Sequence, residues 1–253
     1  MQRIMTEVDV KLNLRKVWTQ IEKAYERTPA DLRSIKPGLV CASKTKPPDL
    51  IIQAYEEGQR DFGENYVDEL VTKANNADIL AKCKQIRWHF IGHLQTNKIN
   101  KVLSIPNLYV IETIDSEKLA TSVNNRWSQH RHSDCKLPIM IQINTSGEEE
   151  KEGVEPKDAV KLAKYVVDNC ENLQLIGLMT IGMFGYDYLK NGPNPDFLCL
   201  FKCREDISIA LGLDKKQLHL SMGMSNDFEH AIELGSTNVR VGTTIFGERL
   251  KKN

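Results

Sequence analysis

Nothing in this 253-residue sequence favours one charge, because 34 basic residues balance 34 acidic ones. That balance removes a global electrostatic grip on nucleic acid or anionic lipid and leaves only local patches. Long apolar runs are also missing, so no stretch reads as a membrane span. Met1 to Lys16 mixes acidic and basic side chains and lacks the apolar core of a signal peptide, and Glu7 and Asp9 spoil a transit-peptide pattern. Cysteine is scarce and scattered, at 41, 83, 135, 170, 199 and 203, with no CxxC pair. A chain this long builds its own core without a disulfide framework. The expectation is reduced thiols in a cytoplasmic protein, with a mitochondrial pool left open. Cys199 and Cys203 lie one helical turn apart without histidine neighbours, and no metal site is expected.

What is present is an ordinary globular balance, 41% hydrophobic and 27% charged. Short apolar runs rich in β-branched residues predict eight strands, at 39–43, 61–64, 88–92, 109–113, 139–144, 175–180, 218–222 and 239–243. Helical patterns fall between them, at 48–57, 65–82, 96–103, 116–129, 156–169, 196–211 and 226–234. Strands alternating with helices imply parallel crossovers, and this count and length predict a single (β/α)₈ TIM barrel spanning residues 1–253 as one domain. An extra N-terminal helix over 8–25 carries Val10, Leu14, Val17 and Ile21 at helical spacing. Residues 181–195 hold three glycines and two prolines and read as a long loop.

In such a barrel, chemistry collects where strands end. Lys44 follows the first strand, rooted in a desolvating floor that lowers an ammonium pKa and frees a lone pair for attack on a carbonyl. Taken alone, it reads more simply as a solvated lysine opening a loop. After the seventh strand, Ser221-Met-Gly-Met-Ser-Asn-Asp227 is small and hydroxyl-rich, with Ser225 or Asn226 as a helix N-cap. With Gly242 and Thr243 it forms either a phosphate cup or a capped helix and a tight turn. Arg240, between Val239 and Val241, points into the barrel by strand alternation. It pairs with a carboxylate such as Glu64 or contacts a ring nitrogen, which an always-charged guanidinium keeps unprotonated. His89 reads as an inward packing or stacking residue and His93 as a loop residue, not as a metal pair. His130 and His132 read as a solvated helix end, and Glu148 to Glu152 as a solvated loop.

Six motifs in order carry a resemblance: Ser43-Lys-Thr-Lys-Pro47, Phe62-Gly-Glu-Asn-Tyr66, Trp88-His-Phe-Ile-Gly-His-Leu-Gln-Thr-Asn-Lys98, Gly177-Leu-Met179, Leu220-Ser-Met-Gly-Met-Ser225 and Val239-Arg-Val-Gly-Thr243. Together they resemble the pyridoxal phosphate homeostasis protein family over nearly the whole chain. The resemblance implies a fold like the N-terminal barrel of alanine racemase and a pyridoxal 5′-phosphate (PLP) cofactor held as a Schiff base on Lys44, with Lys46 facing elsewhere. It also implies phosphate contacts at Ser221, Ser225, Gly242 and Thr243, a cofactor-binding place for Met222, Arg240 near the pyridine nitrogen, and Asn65 and His89 lining the ring. Cys41-Ala-Ser43 departs from the family's more usual valine-rich lead-in, and Thr180-Ile-Gly182 stands where members vary.

Three functions are compatible with these residues. The first is a carrier that holds and supplies PLP without turnover, as a monomer in transient contact with PLP-dependent apoenzymes. The second is an amino-acid racemase, which needs a second base from among Tyr66, His89 and Tyr186 and, by analogy with alanine racemase, a further C-terminal domain for which 253 residues leave no room. The third is a class I aldolase whose lysine attacks a phosphosugar. No residue is assigned a catalytic role.

Overall fold

The computed structural model describes residues 8–33, 35–130 and 135–248, so His132 and the extreme termini lie outside the described residues. Eight parallel strands close into a barrel in chain order: β1 Gly38–Ala42, β2 Asp61–Glu64, β3 Arg87–Phe90, β4 Leu108–Ile114, β5 Leu137–Gln142, β6 Leu173–Met179, β7 His219–Ser221 and β8 Asn238–Val241. The seam is the β1–β8 pair, in register from Gly38 with Asn238 to Cys41 with Val241. Each crossover places a helix outside, as parallel pairing requires.

The two faces of the strands have different chemistry. Outward residues such as Leu39, Phe62, Trp88, Ile111, Ile141, Leu220 and Val239 join the helices in the main apolar core. Trp88 is fully buried there and packs against Phe62 at 6.1 Å between ring centroids. The inner face keeps a separate small apolar cluster, Val110, Met140 and Met179. Much of the remaining interior is polar and hydrogen-bonded.

The N-terminal helix runs Val10–Arg27, where Asp9 caps it by accepting from the Leu12 amide. Its buried stripe is Val10, Leu14, Val17, Ile21 and Ala24, and it packs on helices Phe228–Glu233 and Thr243–Phe246. Gly247 lies close against Val8, because a Cβ added there would stand 3.0 Å from Val8 Cγ2.

Three expected elements differ in detail. The helix expected over 65–82 is two, Val67–Ala74 and Ala77–Lys82, because Asn76 turns its side chain onto the Asp78 and Ile79 amides and caps a new start. The eighth strand stops at Val241, because the Gly242 carbonyl accepts from Ile245 and Phe246 and opens the turn Thr243–Phe246. Residues 181–195 contain one helical turn, Tyr188–Asn191, capped by Asp187. Among the described residues no helix is long and apolar enough to cross a membrane.

Candidate functional site

The C-terminal ends of the strands form one mouth. Lys44 stands half-buried just beyond β1, followed by Thr45 at φ 64°, a left-handed conformation that is unusual for a β-branched residue. Lys46 turns away and donates to the carbonyls of Gly247 (2.8 Å) and Glu248 (2.7 Å).

The adjoining β8 end supplies Gly242. A Cβ there would sit 2.8 Å from the Ala42 carbonyl oxygen, so only glycine allows this close approach of β8 to the strand that leads into Lys44. The amides of Gly242 and Thr244 point at Ser225 Oγ, at 3.3 and 3.5 Å. Ser225 therefore does not cap the following helix. That helix starts at Phe228, and Asp227 holds the preceding turn by accepting from the Met224 amide at 2.7 Å. Gly223, at φ 94°, lies tight against Ala231 and Phe228, and its carbonyl accepts from the Arg240 amide. Gly242 is half-buried and Thr243 exposed, while Met222 is buried in the main core.

Arg240 points inward as expected, but its charge partner is not Glu64. Nη1 donates to Ser221 Oγ (2.8 Å) and Nη2 to the Thr180 carbonyl (2.7 Å). The Ser221 hydroxyl donates to Glu112 Oε2 at 2.6 Å, so Ser221 faces the barrel interior. Glu64 instead faces outward, where it accepts from Lys73 (2.7 Å) and Ser43 (2.6 Å). Strand alternation is the reason: Asp61 and Gly63 take the inner positions of β2, which leaves Glu64 on the helix side.

Beneath Arg240 the network continues. His89 Nδ1 meets Glu112 Oε1 at 2.7 Å and its Nε2 meets Asp61 Oδ1 at 3.0 Å. Arg87 then grips Asp61 with two hydrogen bonds, at 2.7 and 2.5 Å, at the opposite end of the barrel. Burial alone would lower the His89 pKa, but the hydrogen bonds and charges of Asp61 and Glu112 raise it to about 9. Burial works to raise the Glu112 carboxyl, and His89, Arg240 and Ser221 hold it below its ordinary value. Burial also lowers the Arg240 guanidinium, against the pull of Glu112 and Asp227. His89 is thus an inward residue, as expected, held between two carboxylates and joined to Arg240 only through Glu112 and Ser221.

Asn65 lies across the mouth, where it lines a cavity of about 220 Å³ with Gly92, Gln142, Asn144 and Thr180. Its Oδ1 is buried without a hydrogen-bond partner among the described residues. Gly92 packs so closely that a Cβ would fall 1.9 Å from the Asn65 carbonyl oxygen. Lys151, in the acidic run read as a solvated loop, lines the same cavity, pairs with Glu148 and donates to the Gly182 carbonyl at 2.8 Å. His93, Asp115 and Glu152 bring ligand atoms within 4.8 Å of one another, an arrangement the sequence spacing did not suggest. The group is largely solvent-facing, and His93 Nδ1 already meets Glu152 Oε1 at 3.4 Å.

Sequence reasoning missed Asp61, Glu112 and Lys73. Glu112 left a usable signal, as the one carboxylate inside the apolar run Tyr109 to Ile114. In a strand of that kind a buried charge has to find a partner.

A group with a phosphate and a polar ring fits these residues. The Gly242 and Thr244 amides and the Ser225 hydroxyl offer donors for a dianion. Gly242 keeps clear the space a side chain would fill, and the orphaned Asn65 oxygen awaits a donor.

Known proteins resemble this chain in sequence and fold. Residues 37–250 match the alanine racemase N-terminal domain family. A human protein named pyridoxal phosphate homeostasis protein is 52% identical over 243 residues, 96% of this chain and 88% of its own length. The Vibrio cholerae protein of that name is 39% identical, with 95% and 96% covered. PipY of Synechococcus elongatus, solved with PLP bound, superposes with a TM-score of 0.76 at 26% identity and covers 94% of this chain and all of its own. Alanine racemase from Corynebacterium glutamicum, at 12% identity and a TM-score of 0.62, shares the fold over 95% of this chain and 60% of its own.

Proposed function

The chain belongs to the pyridoxal phosphate homeostasis protein family, and we propose that it binds PLP at the barrel mouth and serves PLP homeostasis. The carrying observation is the adjacency of Lys44 to the cup formed by Gly242, Thr244 and Ser225, fixed by the approach of Gly242 to Ala42. In this reading Lys44 holds the aldehyde as a Schiff base. Ser225, Gly242 and Thr243 hold the phosphate, with Ser221 and Met222 shaping the floor behind them. Arg240 meets the ring nitrogen with a guanidinium that cannot take up a proton from it. Asn65 borders the ring, and His89 acts from below through Glu112. When bound, the cofactor supplies a reactive carbonyl and an electron-poor ring.

Residues 1–253 would act as one PLP-binding unit, a monomeric, cytoplasmic carrier that meets PLP-dependent apoenzymes transiently and has no turnover of its own. Two of the three side chains a racemase would recruit as a second base support this, and the third, Tyr66, is exposed. His89 is sealed between Asp61 and Glu112, and the Tyr186 hydroxyl contacts the carbonyls of Asn191 and Pro193. A ring nitrogen kept neutral by Arg240 is also a weak electron sink.

The test is the visible spectrum of the purified protein with PLP, before and after borohydride, beside Lys44→Ala. A band that borohydride removes, with the adduct on Lys44, supports the reading. A protein that stays colourless with added PLP overturns it and leaves a phosphosugar lyase to be assayed. Exchange of the α-proton of amino acids would show turnover and overturn the carrier part alone.

A further inference from the structure

We infer that Glu64, Lys73 and Glu69 form a clamp outside the barrel that positions Lys44 for reaction, an inference that rests on reading Lys44 as the anchor of the cofactor. Lys73, on helix Val67–Ala74, is only 5% exposed. Its Nζ donates to the Ser43 carbonyl (2.7 Å), Glu64 Oε1 (2.7 Å) and Glu69 Oε1 (2.6 Å). An ammonium has three N–H donors, so these acceptors use all of them.

The targets of the clamp are the two peptide units that flank the Lys44 Cα. The unit before it is held at the Ser43 carbonyl by Lys73. The unit after it is held at the Thr45 amide, which donates to Glu69 Oε1 at 2.6 Å. Ser43 is fixed twice more, by its hydroxyl on Glu64 Oε1 (2.6 Å) and by its amide on the Gly63 carbonyl (3.0 Å). Both backbone torsions of Lys44 are therefore set from the helix side of the sheet. Thr45 stays in the left-handed region at φ 64°, a conformation that persists only where surrounding contacts hold it.

An ion cluster serving stability alone would be a poor choice at this position, since well-packed apolar residues often match or exceed a buried salt bridge. The cluster is also one-sided. Glu64 Oε2 is buried with no hydrogen-bond partner among the described residues, and all the binding passes through the oxygen that touches Ser43 and Lys73. Such an arrangement holds the backbone beside Lys44 at the expense of a satisfied carboxylate. Reaction geometry is sensitive to small displacements of the attacking atom. In the step concerned, Lys44 Nζ bonds to the aldehyde carbon, and the carbonyl oxygen leaves as water with the two amine protons.

The test uses Glu69→Ala, Glu69→Gln and Lys73→Met in the full chain, mixed with PLP and separately with pyridoxine 5′-phosphate. The second probe carries an alcohol in place of the aldehyde and reports the phosphate and ring contacts without the covalent bond. The expected result is at least a tenfold slower rise of the borohydride-trappable band in Glu69→Ala and Lys73→Met. Glu69→Gln, which keeps an oxygen for the Thr45 amide, should recover most of the rate. Affinity for pyridoxine 5′-phosphate should stay within twofold of wild type in all three. Trapping at the wild-type rate in Glu69→Ala and Lys73→Met overturns the inference alone. Parallel loss of both probes also overturns it, since that marks general damage to the site. A wild type that forms no trappable adduct overturns the underlying reading together with the clamp.

Discussion

Glu112 and Arg240 face each other across a single hydroxyl: Ser221 Oγ donates to Glu112 Oε2 at 2.6 Å and accepts from Arg240 Nη1 at 2.8 Å. The carboxylate is fully buried and the guanidinium nearly so. Removing the charge of Glu112 leaves His89 and Arg240 without their shared counter-charge. Glu112→Gln should lower stability by about 3–5 kcal/mol, the usual cost of stranding one partner of a buried pair. Urea unfolding at pH 7 reads this directly, and a loss below about 1 kcal/mol would mean that Asp61 and Asp227 suffice.

The same network gives stability a dependence on alkaline pH. His89 titrates at about 9 in the fold and near 6.5 when unfolded. A raised folded pKa stabilises fully below the unfolded value, and that contribution disappears as pH rises through the folded one. From pH 6.5 to beyond 9, wild type should lose on the order of 3 kcal/mol relative to His89→Gln, which has no such titration. Urea unfolding of both proteins at intervals across that window checks it, and parallel curves would refute it.

The cup makes a prediction about which part of the cofactor is held. Ser225→Ala removes the hydroxyl on which the Gly242 and Thr244 amides converge. A hydrogen bond to a charged group contributes about 1.5–3 kcal/mol, so PLP affinity should fall roughly tenfold to a hundredfold. Pyridoxal, which lacks the phosphate, should bind as it does to wild type. Equal loss for both ligands would place Ser225 elsewhere in recognition.

Gly92 is predicted to be irreplaceable even by alanine. Its missing Cβ would lie 1.9 Å from the Asn65 carbonyl oxygen, a backbone atom that cannot swing aside as a side-chain tip can. Gly92→Ala should cost about 1–3 kcal/mol by forced backbone shift and weaken PLP binding by moving Asn65. Gly58→Ala is the control for a glycine in open space, since a Cβ there meets nothing within 4 Å, although its φ of 94° carries a local strain of its own. Only the Gly92 variant should alter ligand affinity, as measured by fluorescence titration.

The alternation of short apolar runs with helical patterns exposed the barrel, because period and composition report which surfaces are covered. Lys44, Arg240 and Gly242 were legible for the same reason, since each breaks the pattern at a strand or its end. Glu112 and Asp61 were not recognised, because a strand residue's face is known only once its register is, and a one-residue slip reverses it. Lys73 was hidden differently. On a helix it passes for a solvated lysine, and only the packing of Val67–Ala74 over the β1 end turns its ammonium inward. Ser225 fitted the composition of an N-cap, but the amides of a neighbouring strand end claim its hydroxyl.

The close approach of Val8 and Gly247, beside the β1–β8 seam, brings the first and last described segments of the fold together. Order along the polypeptide is therefore nearly arbitrary with respect to the barrel's pairing. A permuted gene that joined position 247 to position 8 through a linker and opened within 185–192 would preserve every strand neighbour. The lysine that now precedes its neighbouring eighth strand by most of the chain would then follow that strand instead.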